Sequence, residues 1–239
     1  MKKILSALLC TMLLLATTGC GSMTNTQKGA AIGGGGGAAL GAGIGALIGK
    51  GKGAAIGGVI GTAVGATAGV LIGKKMDKAK AQAEAIENAQ VESVTDANGL
   101  QAVQVTFDSG ILFATGSSSL QAAAKNSLSE FANNVLKQNA DMDVAIKGYT
   151  DNAGWKGCTA EQSAAKNEAL SLQRAQSVST YLTNMGVSTS QIKSIEGLGE
   201  ANPVADNSTA AGKQQNRRVE VYLYASEAMI NAANAGTLH

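Results

Sequence analysis

The chain has 239 residues, with 19 Lys and Arg against 17 Asp and Glu, giving a formal net charge of +2. This near-neutral balance argues against a cationic surface that binds nucleic acid. The one histidine is His239, so the sequence holds no internal Ser-His or Cys-His pair and no zinc-binding cluster. We therefore predict a protein that is not an enzyme and that uses no metal and no cofactor.

Residues 1–19 are predicted to be a secretory signal peptide, because Lys2 and Lys3 precede a short apolar run and small residues. The Thr-Thr-Gly before Cys20 resembles a lipoprotein processing site, after which Cys20 would carry acyl chains and 20–27 would be the lipid-attachment linker. Ordinary cleavage nearby, which would leave Cys20 as a thiol, is the alternative. Losing the two lysines takes the net charge from +2 to 0.

Residues 28–74 contain an internal repeat in which glycine occupies every fourth position from Gly29 to Gly73. The apolar stretches 30–49 and 54–73 would each be about 30 Å long as helices, which matches the core of a bilayer. A stripe of small residues lets two helices pack closely in lipid. This pattern predicts a membrane hairpin that could also join copies of the chain, and it resembles the glycine-zipper segments of some outer-membrane lipoproteins. A flexible Gly/Ala spacer is the alternative.

The charged, alanine-rich residues 75–94 are predicted to be a solvated helical linker, and residues 226–239 a C-terminal tail. Between them, alternating and helical apolar patterns predict a domain over 95–225. Its order is βαβαββ, which indicates an α+β fold with the helices packed on one side of a mixed sheet. The predicted strands are 101–107, 142–148, 191–199 and 217–224, and the predicted helices are 117–139 and 163–185.

Four motifs of this domain occur in an order that resembles one family. They are FDSGILFATGSSSL (107–120), GYTDNAG (148–154), NEALSLQRAQSVSTYL (167–182) and IEGLGEANPVADNSTAAGKQQNRRVEV (195–221). Together they resemble the OmpA-like peptidoglycan-binding domain over about 100–225. With Cys20 and the glycine repeat, the whole chain resembles OmpA-family lipoproteins of Gram-negative outer membranes.

This resemblance implies a pocket for the free end of diaminopimelate, which carries an ammonium and a carboxylate on one carbon. By matching motifs, Asp151 would bind the ammonium and Arg174 the carboxylate. An arginine suits this role better than a lysine, because its guanidinium group can bind a carboxylate through two parallel hydrogen bonds. The resemblance also assigns four further pocket residues: Thr150, Asn167, Asp108 and Arg217. It implies a tether between the outer membrane and peptidoglycan, lipid-anchored, with its C-terminal domain in the periplasm.

Two features leave the interpretation open. The connection 155–166 is longer than is usual in the family and contains the only Trp, Trp155, and Cys158. It would either cap the pocket or be a surface loop. Because strand residues alternate between faces, only one of Arg217 and Arg218 is expected to face the pocket. Two alternative functions are an oligomerising, channel-forming or membrane-perturbing glycine zipper and a wall hydrolase.

Overall fold

The computed structural model describes residues 64–238, so the predicted signal peptide, Cys20 and most of the glycine repeat lie outside the described residues. The elements in chain order are α1 (Ala66–Glu84), β1 (Ala89–Thr95), β2 (Gln101–Asp108), α2 (Ser109–Leu112), α3 (Ala122–Phe131), β3 (Met142–Gly148), α4 (Ala160–Asn184), β4 (Ile192–Gly197), α5 (Ala210–Asn216), β5 (Arg218–Ala225) and α6 (Glu227–Asn234). A π-helical turn (Ala132–Leu136) and a 3-10 turn (Lys137–Asn139) extend α3.

The five strands form one sheet in the order β1-β2-β5-β3-β4. The pair β3–β4 is parallel and the other pairs are antiparallel, so the sheet is mixed. One sheet face supplies Val105, Ile146 and Val221 to a core that also takes buried side chains from α1, α3, α4 and α6. The predicted α+β fold, with helices on one side of a mixed sheet, is confirmed.

The prediction of a solvated linker over 75–94 is wrong. Met76, Ala79 and Ala83 of α1 are fully buried, and 89–95 is the strand β1, paired with β2. The buried positions of α1 recur at helical spacing, but they are mostly alanine or glycine, so the apolar face is weak in sequence. β1 is an edge strand with one half-exposed face, which explains its polar composition. The domain therefore starts at α1.

The second arm of the predicted membrane hairpin, 54–73, overlaps α1. Ala68 and Ile72 belong to the same core cluster as the sheet residues, and Gly69 and Gly73 are also buried. Residues 66–73 cannot lie in lipid and in this core at the same time, so that part of the hairpin prediction is wrong. No helix within residues 64–238 is long and apolar enough to cross a membrane.

The prediction of a tail after residue 225 is also wrong, because α6 packs on α1. Ser226 caps this helix by accepting a hydrogen bond from the Met229 backbone N–H at 3.1 Å. Met229, Ile230 and Ala233 are buried in the core. The two ends of the described chain thus close the core together.

Replacing Met76 with alanine should show that α1 belongs to the folded domain. Met→Ala at a fully buried site costs about 2–5 kcal/mol, and Met76 is 0% exposed. We expect a loss of that size in the free energy of unfolding, measured by urea denaturation. Lys78→Ala is the control, because Lys78 is exposed on the same helix and such changes stay within about 0.5 kcal/mol. Equal stability of the two variants would contradict the packing of α1.

Candidate ligand-binding site

Two glycines let α4 approach the ends of the parallel strands. Gly148 of β3 and Gly197 of β4 are register partners. A Cβ on Gly148 would clash with the Ser171 carbonyl, and a Cβ on Gly197 would clash with the Leu172 backbone. The Ser171 hydroxyl also accepts a hydrogen bond from the Gly199 N–H at 2.9 Å. This contact fixes α4 one turn before Arg174.

A pocket of about 580 Å³ opens beside this contact. Its walls come from the residues after β2, from the loop after β3, from α4 and from the residue before β5. The lining residues lie in the segments 109–116 and 150–156, together with Gln121, Asn167, Leu170, Arg174 and Arg217. Five of the six predicted binding residues therefore lie around one cavity.

Asp151 is the one carboxylate in the lining of this pocket, and it is only 7% exposed. Its Oδ1 accepts a hydrogen bond from the Ala153 N–H at 3.0 Å. Its Oδ2 forms an ion pair with Arg217 Nη1 at 2.5 Å. These two contacts hold the carboxylate in place at the end of β3.

Arg174 is 3% exposed, and it forms no salt bridge within residues 64–238. Its Nε donates a hydrogen bond to the Ser117 carbonyl at 3.0 Å, and its guanidinium carbon lies 5.2 Å from the centre of the Phe113 ring. Burial lowers the pKa of Arg174 below its usual value, the charge of Arg217 lowers it further, and Asp151 partly opposes both. A buried cation without an anionic partner is costly, so this side chain is suited to receive an anion from the pocket.

Two hydroxyl groups in the pocket wall lack partners. Thr150 and Ser109 are 5% and 1% exposed, and in the described part of the chain neither hydroxyl oxygen has a hydrogen-bond partner. Such unpaired buried groups are uncommon in folded proteins. Both residues line the same pocket as Asp151 and Arg174.

The first residues of the long connection after GYTDNAG, Trp155 and Lys156, line the pocket. Trp155 Nε1 donates to Asn167 Oδ1 at 2.8 Å, and the Trp155 backbone N–H donates to Ser163 Oγ at 3.0 Å. The Lys166 ammonium lies 5.6 Å from the centre of the indole ring. Asn167 Nδ2 also donates to the Ala153 carbonyl at 3.1 Å. Of residues 155–166, only Trp155 and Lys156 line the pocket, and residues 160–166 form the first turns of α4.

Asp108 is the one predicted residue that does not line the pocket. Its carboxylate accepts hydrogen bonds from the Gly110 N–H at 2.6 Å and from Gln214 Nε2 at 3.0 Å, so it caps α2. As strand alternation predicts, Arg217 faces the pocket while Arg218 faces away and pairs with Glu220 at 2.7 Å.

The sequence did not single out Phe113, Ser109 or Lys156, all of which line the pocket. Phe113 and Ser109 lie within the quoted motif FDSGILFATG, so their positions in a family motif were the available signal. Lys156 lies in the long connection, which has no counterpart among the four motifs. The position of Lys156 beside the pocket is visible only in the three-dimensional structure of this connection.

Comparison with known proteins agrees with this geometry. Residues 112–217 match the model of the OmpA family, and residues 1–77 match the YMGG-like Gly-zipper. The chain therefore carries an OmpA-family domain that follows a glycine-zipper segment. The domain core nevertheless reaches beyond the first match, because α1, β1 and β2 precede it and all of β5 and α6 follow it.

Particular relatives share this domain. The chain is 44% identical over 119 residues to the Probable lipoprotein YiaD of Escherichia coli K12, covering 50% of this chain and 47% of that one. It is 44% identical over 86 residues to the Peptidoglycan-binding protein ArfA of Mycobacterium bovis, covering 36% of this chain and 24% of that one. The chain thus spans about half or less of the length of these relatives.

Among solved structures, the chain resembles the cell wall anchor of the T6SS from Pseudomonas aeruginosa. The TM-score is 0.50 and the sequence identity 26%, and the match covers 63% of this chain and 97% of that one.

Adding a methyl group at Gly197 should push α4 away from the sheet, because the new Cβ would meet the Leu172 backbone. We expect Gly197→Ala to lose about 1–3 kcal/mol or more in the free energy of unfolding, measured by urea denaturation. Gly154→Ala is the control, since its Cβ would lie 3.7 Å from Ser163 Oγ, an ordinary contact. If both variants are equally stable, the close approach does not constrain this site.

Because Trp155 is the only tryptophan, its fluorescence reports on the pocket wall. Asn167→Ala removes the partner of the indole N–H and that of the Ala153 carbonyl. We expect the emission to shift to longer wavelength and quenching by iodide to increase, because the loop is released to water. Gln176→Ala, at an exposed position of α4, should leave the spectrum unchanged. An unchanged spectrum for Asn167→Ala would show that Asn167 does not hold the loop.

Proposed function

We propose that this protein is a non-catalytic tether that holds the cell wall by binding diaminopimelate in peptidoglycan stem peptides. Three observations support the proposal. The chain carries an OmpA-family domain, one relative is named a peptidoglycan-binding protein, and a similar solved structure is a cell wall anchor. The single observation that carries the diaminopimelate assignment is Arg174, a buried cation without a salt bridge in the described residues, facing a pocket that also contains Asp151.

Arg174 is the receptor for the carboxylate at the free end of diaminopimelate. Its Nε is already used by the Ser117 carbonyl, which leaves the two terminal nitrogens to donate to a ligand. A guanidinium that binds a carboxylate through two parallel hydrogen bonds gains both energy and geometric specificity. Because Arg174 is almost fully buried, solvent screens this interaction little.

Asp151 is the receptor for the ammonium on the same carbon. An ionised carboxylate has about four acceptor sites, and the contacts with Ala153 and Arg217 use two of them. The ammonium group takes the remaining capacity, and the unpaired hydroxyls of Thr150 and Ser109 lie in the same wall. An ammonium and a carboxylate on one carbon fit a pocket that presents one charge of each sign close together.

The second attachment of the tether is the membrane. We place the acyl chains on Cys20, the anchor in the outer membrane and the OmpA-family domain in the periplasm. A relative named as a probable lipoprotein and the match to a YMGG-like Gly-zipper over 1–77 support this arrangement. Because α1 is part of the domain core from Ala66 onward, the domain is joined to the glycine repeat without a separate linker.

Arg174→Lys keeps the positive charge but loses the two parallel hydrogen bonds of the guanidinium group. It should therefore weaken binding of the full chain to purified insoluble peptidoglycan. Truncating one partner of a buried charge pair costs 2–5 kcal/mol, so we expect affinity to fall about 30-fold or more. Asp151→Asn should cause a similar loss. Glu168→Gln, an exposed change on the same helix, is the control and should bind normally. Undiminished binding by the double variant Arg174→Lys and Asp151→Asn would overturn the site assignment.

Competition with small molecules tests the chemistry of the ligand. Free meso-diaminopimelate should displace the protein from peptidoglycan, whereas Nα-acetyl-lysine amide should not at the same concentration. This lysine derivative keeps the side-chain ammonium but has no carboxylate, and its α-amino and α-carboxyl groups are blocked, so it has no group that Arg174 can bind. Equal displacement by both compounds would contradict recognition of the carboxylate.

A further inference from the structure

The pocket carries more positive charge than a diaminopimelate end can neutralise. Its lining contains three cations, Lys156, Arg174 and Arg217, and one carboxylate, Asp151. The zwitterion contributes one charge of each sign and therefore no net charge. A ligand with at least one further anionic group would complement this pocket better.

Among the three cations of the pocket lining, Lys156 is the one that has neither a partner in residues 64–238 nor a role in the proposed function. Arg217 is paired with Asp151, and Arg174 is assigned to the diaminopimelate carboxylate by the proposed function. Lys156 has no hydrogen bond and no ion pair in the described part of the chain, and it is exposed at the mouth of the pocket. Its ammonium group is therefore free to meet a ligand that extends out of the pocket.

The backbone beside Lys156 is held firmly. Trp155 is fastened by hydrogen bonds to Asn167 and Ser163, and Gly157 follows with φ at +76°, a value that favours glycine. Lys166, the other lysine of this connection, lies against the indole ring and donates to Cys158 Sγ at 3.1 Å. The two lysines thus differ, because Lys166 contacts Trp155 and Cys158 within the connection, whereas Lys156 lines the pocket.

A stem peptide offers further carboxylates close to its diaminopimelate. Its glutamate is linked through the side-chain carboxyl group, so the α-carboxylate stays free, and the peptide ends in another carboxylate. We propose that Lys156 binds a second carboxylate of the stem peptide, outside the diaminopimelate end, so that the domain selects stem peptides with free carboxylates over amidated ones. This inference rests on the proposed function.

Titration calorimetry on the full chain tests this selectivity with a synthetic tripeptide, L-Ala-γ-D-Glu-meso-diaminopimelate. Two analogues are compared with it, one amidated at the glutamate α-carboxylate and one amidated at the C-terminal carboxylate. An exposed ion pair contributes about 0.2–1 kcal/mol, so we expect one of the two amidations to weaken binding to the natural protein about 1.4- to fivefold. The analogue that loses affinity identifies the carboxylate.

The variant Lys156→Gln should bind the unmodified tripeptide about 1.4- to fivefold less tightly and should no longer distinguish it from that analogue. Lys125→Gln is the matched control, because Lys125 is exposed on α3 and is not part of the pocket lining. It should keep the full difference between the ligands.

Two failures are distinguishable. If the tripeptide binds through Arg174 but amidation has no effect, or has the same effect in Lys156→Gln, the selectivity inference is wrong and the proposed function stands. If the unmodified tripeptide does not bind the natural protein, the proposed function itself is wrong.

Discussion

The close approach of α4 to the ends of β3 and β4 is the contact on which the pocket depends. It exists because both strands end in glycine, Gly148 and Gly197, where any side chain would clash with the helix backbone. The contact sets the height of α4 above the sheet, and Arg174 follows one turn later. Asp151 lies three residues beyond Gly148, so the same two strand ends position both charges. The charged pair is thus a consequence of backbone packing.

Most of the residues that the resemblance assigns to the site line one pocket, because they lie in short motifs at the ends of regular elements. Five of the six residues assigned by resemblance line one pocket, and the alternation of strand residues separated Arg217 from Arg218. Asp108 caps α2 and does not line the pocket, since a carboxylate directly before a helix is equally suited to cap it. Lys156 could not be found from the motifs, since its position depends on how Trp155 packs on Asn167.

The fold was predicted less completely at its two ends. α1 and α6 bury small side chains such as Ala68, Ala79 and Ala233, and alanine gives a weak hydrophobic signal in sequence. The edge strand β1 alternates only partly, because one of its faces is half exposed. The packing of α1, α6 and β1 on the rest of the domain, and not their own sequence patterns, therefore determines that they belong to the fold. One result is that residues 66–73, which read as part of a membrane hairpin, belong to the core of the domain.

The central claim is that Arg174 and Asp151 together hold the free end of diaminopimelate. A crystal structure of the full chain with meso-diaminopimelate tests it most directly. The account predicts one carboxylate of the ligand at hydrogen-bonding distance, about 2.7–2.9 Å, from the terminal nitrogens of Arg174, with the ammonium on the same carbon at Asp151. A ligand bound elsewhere, or bound in this pocket with its ammonium turned away from Asp151, would contradict it.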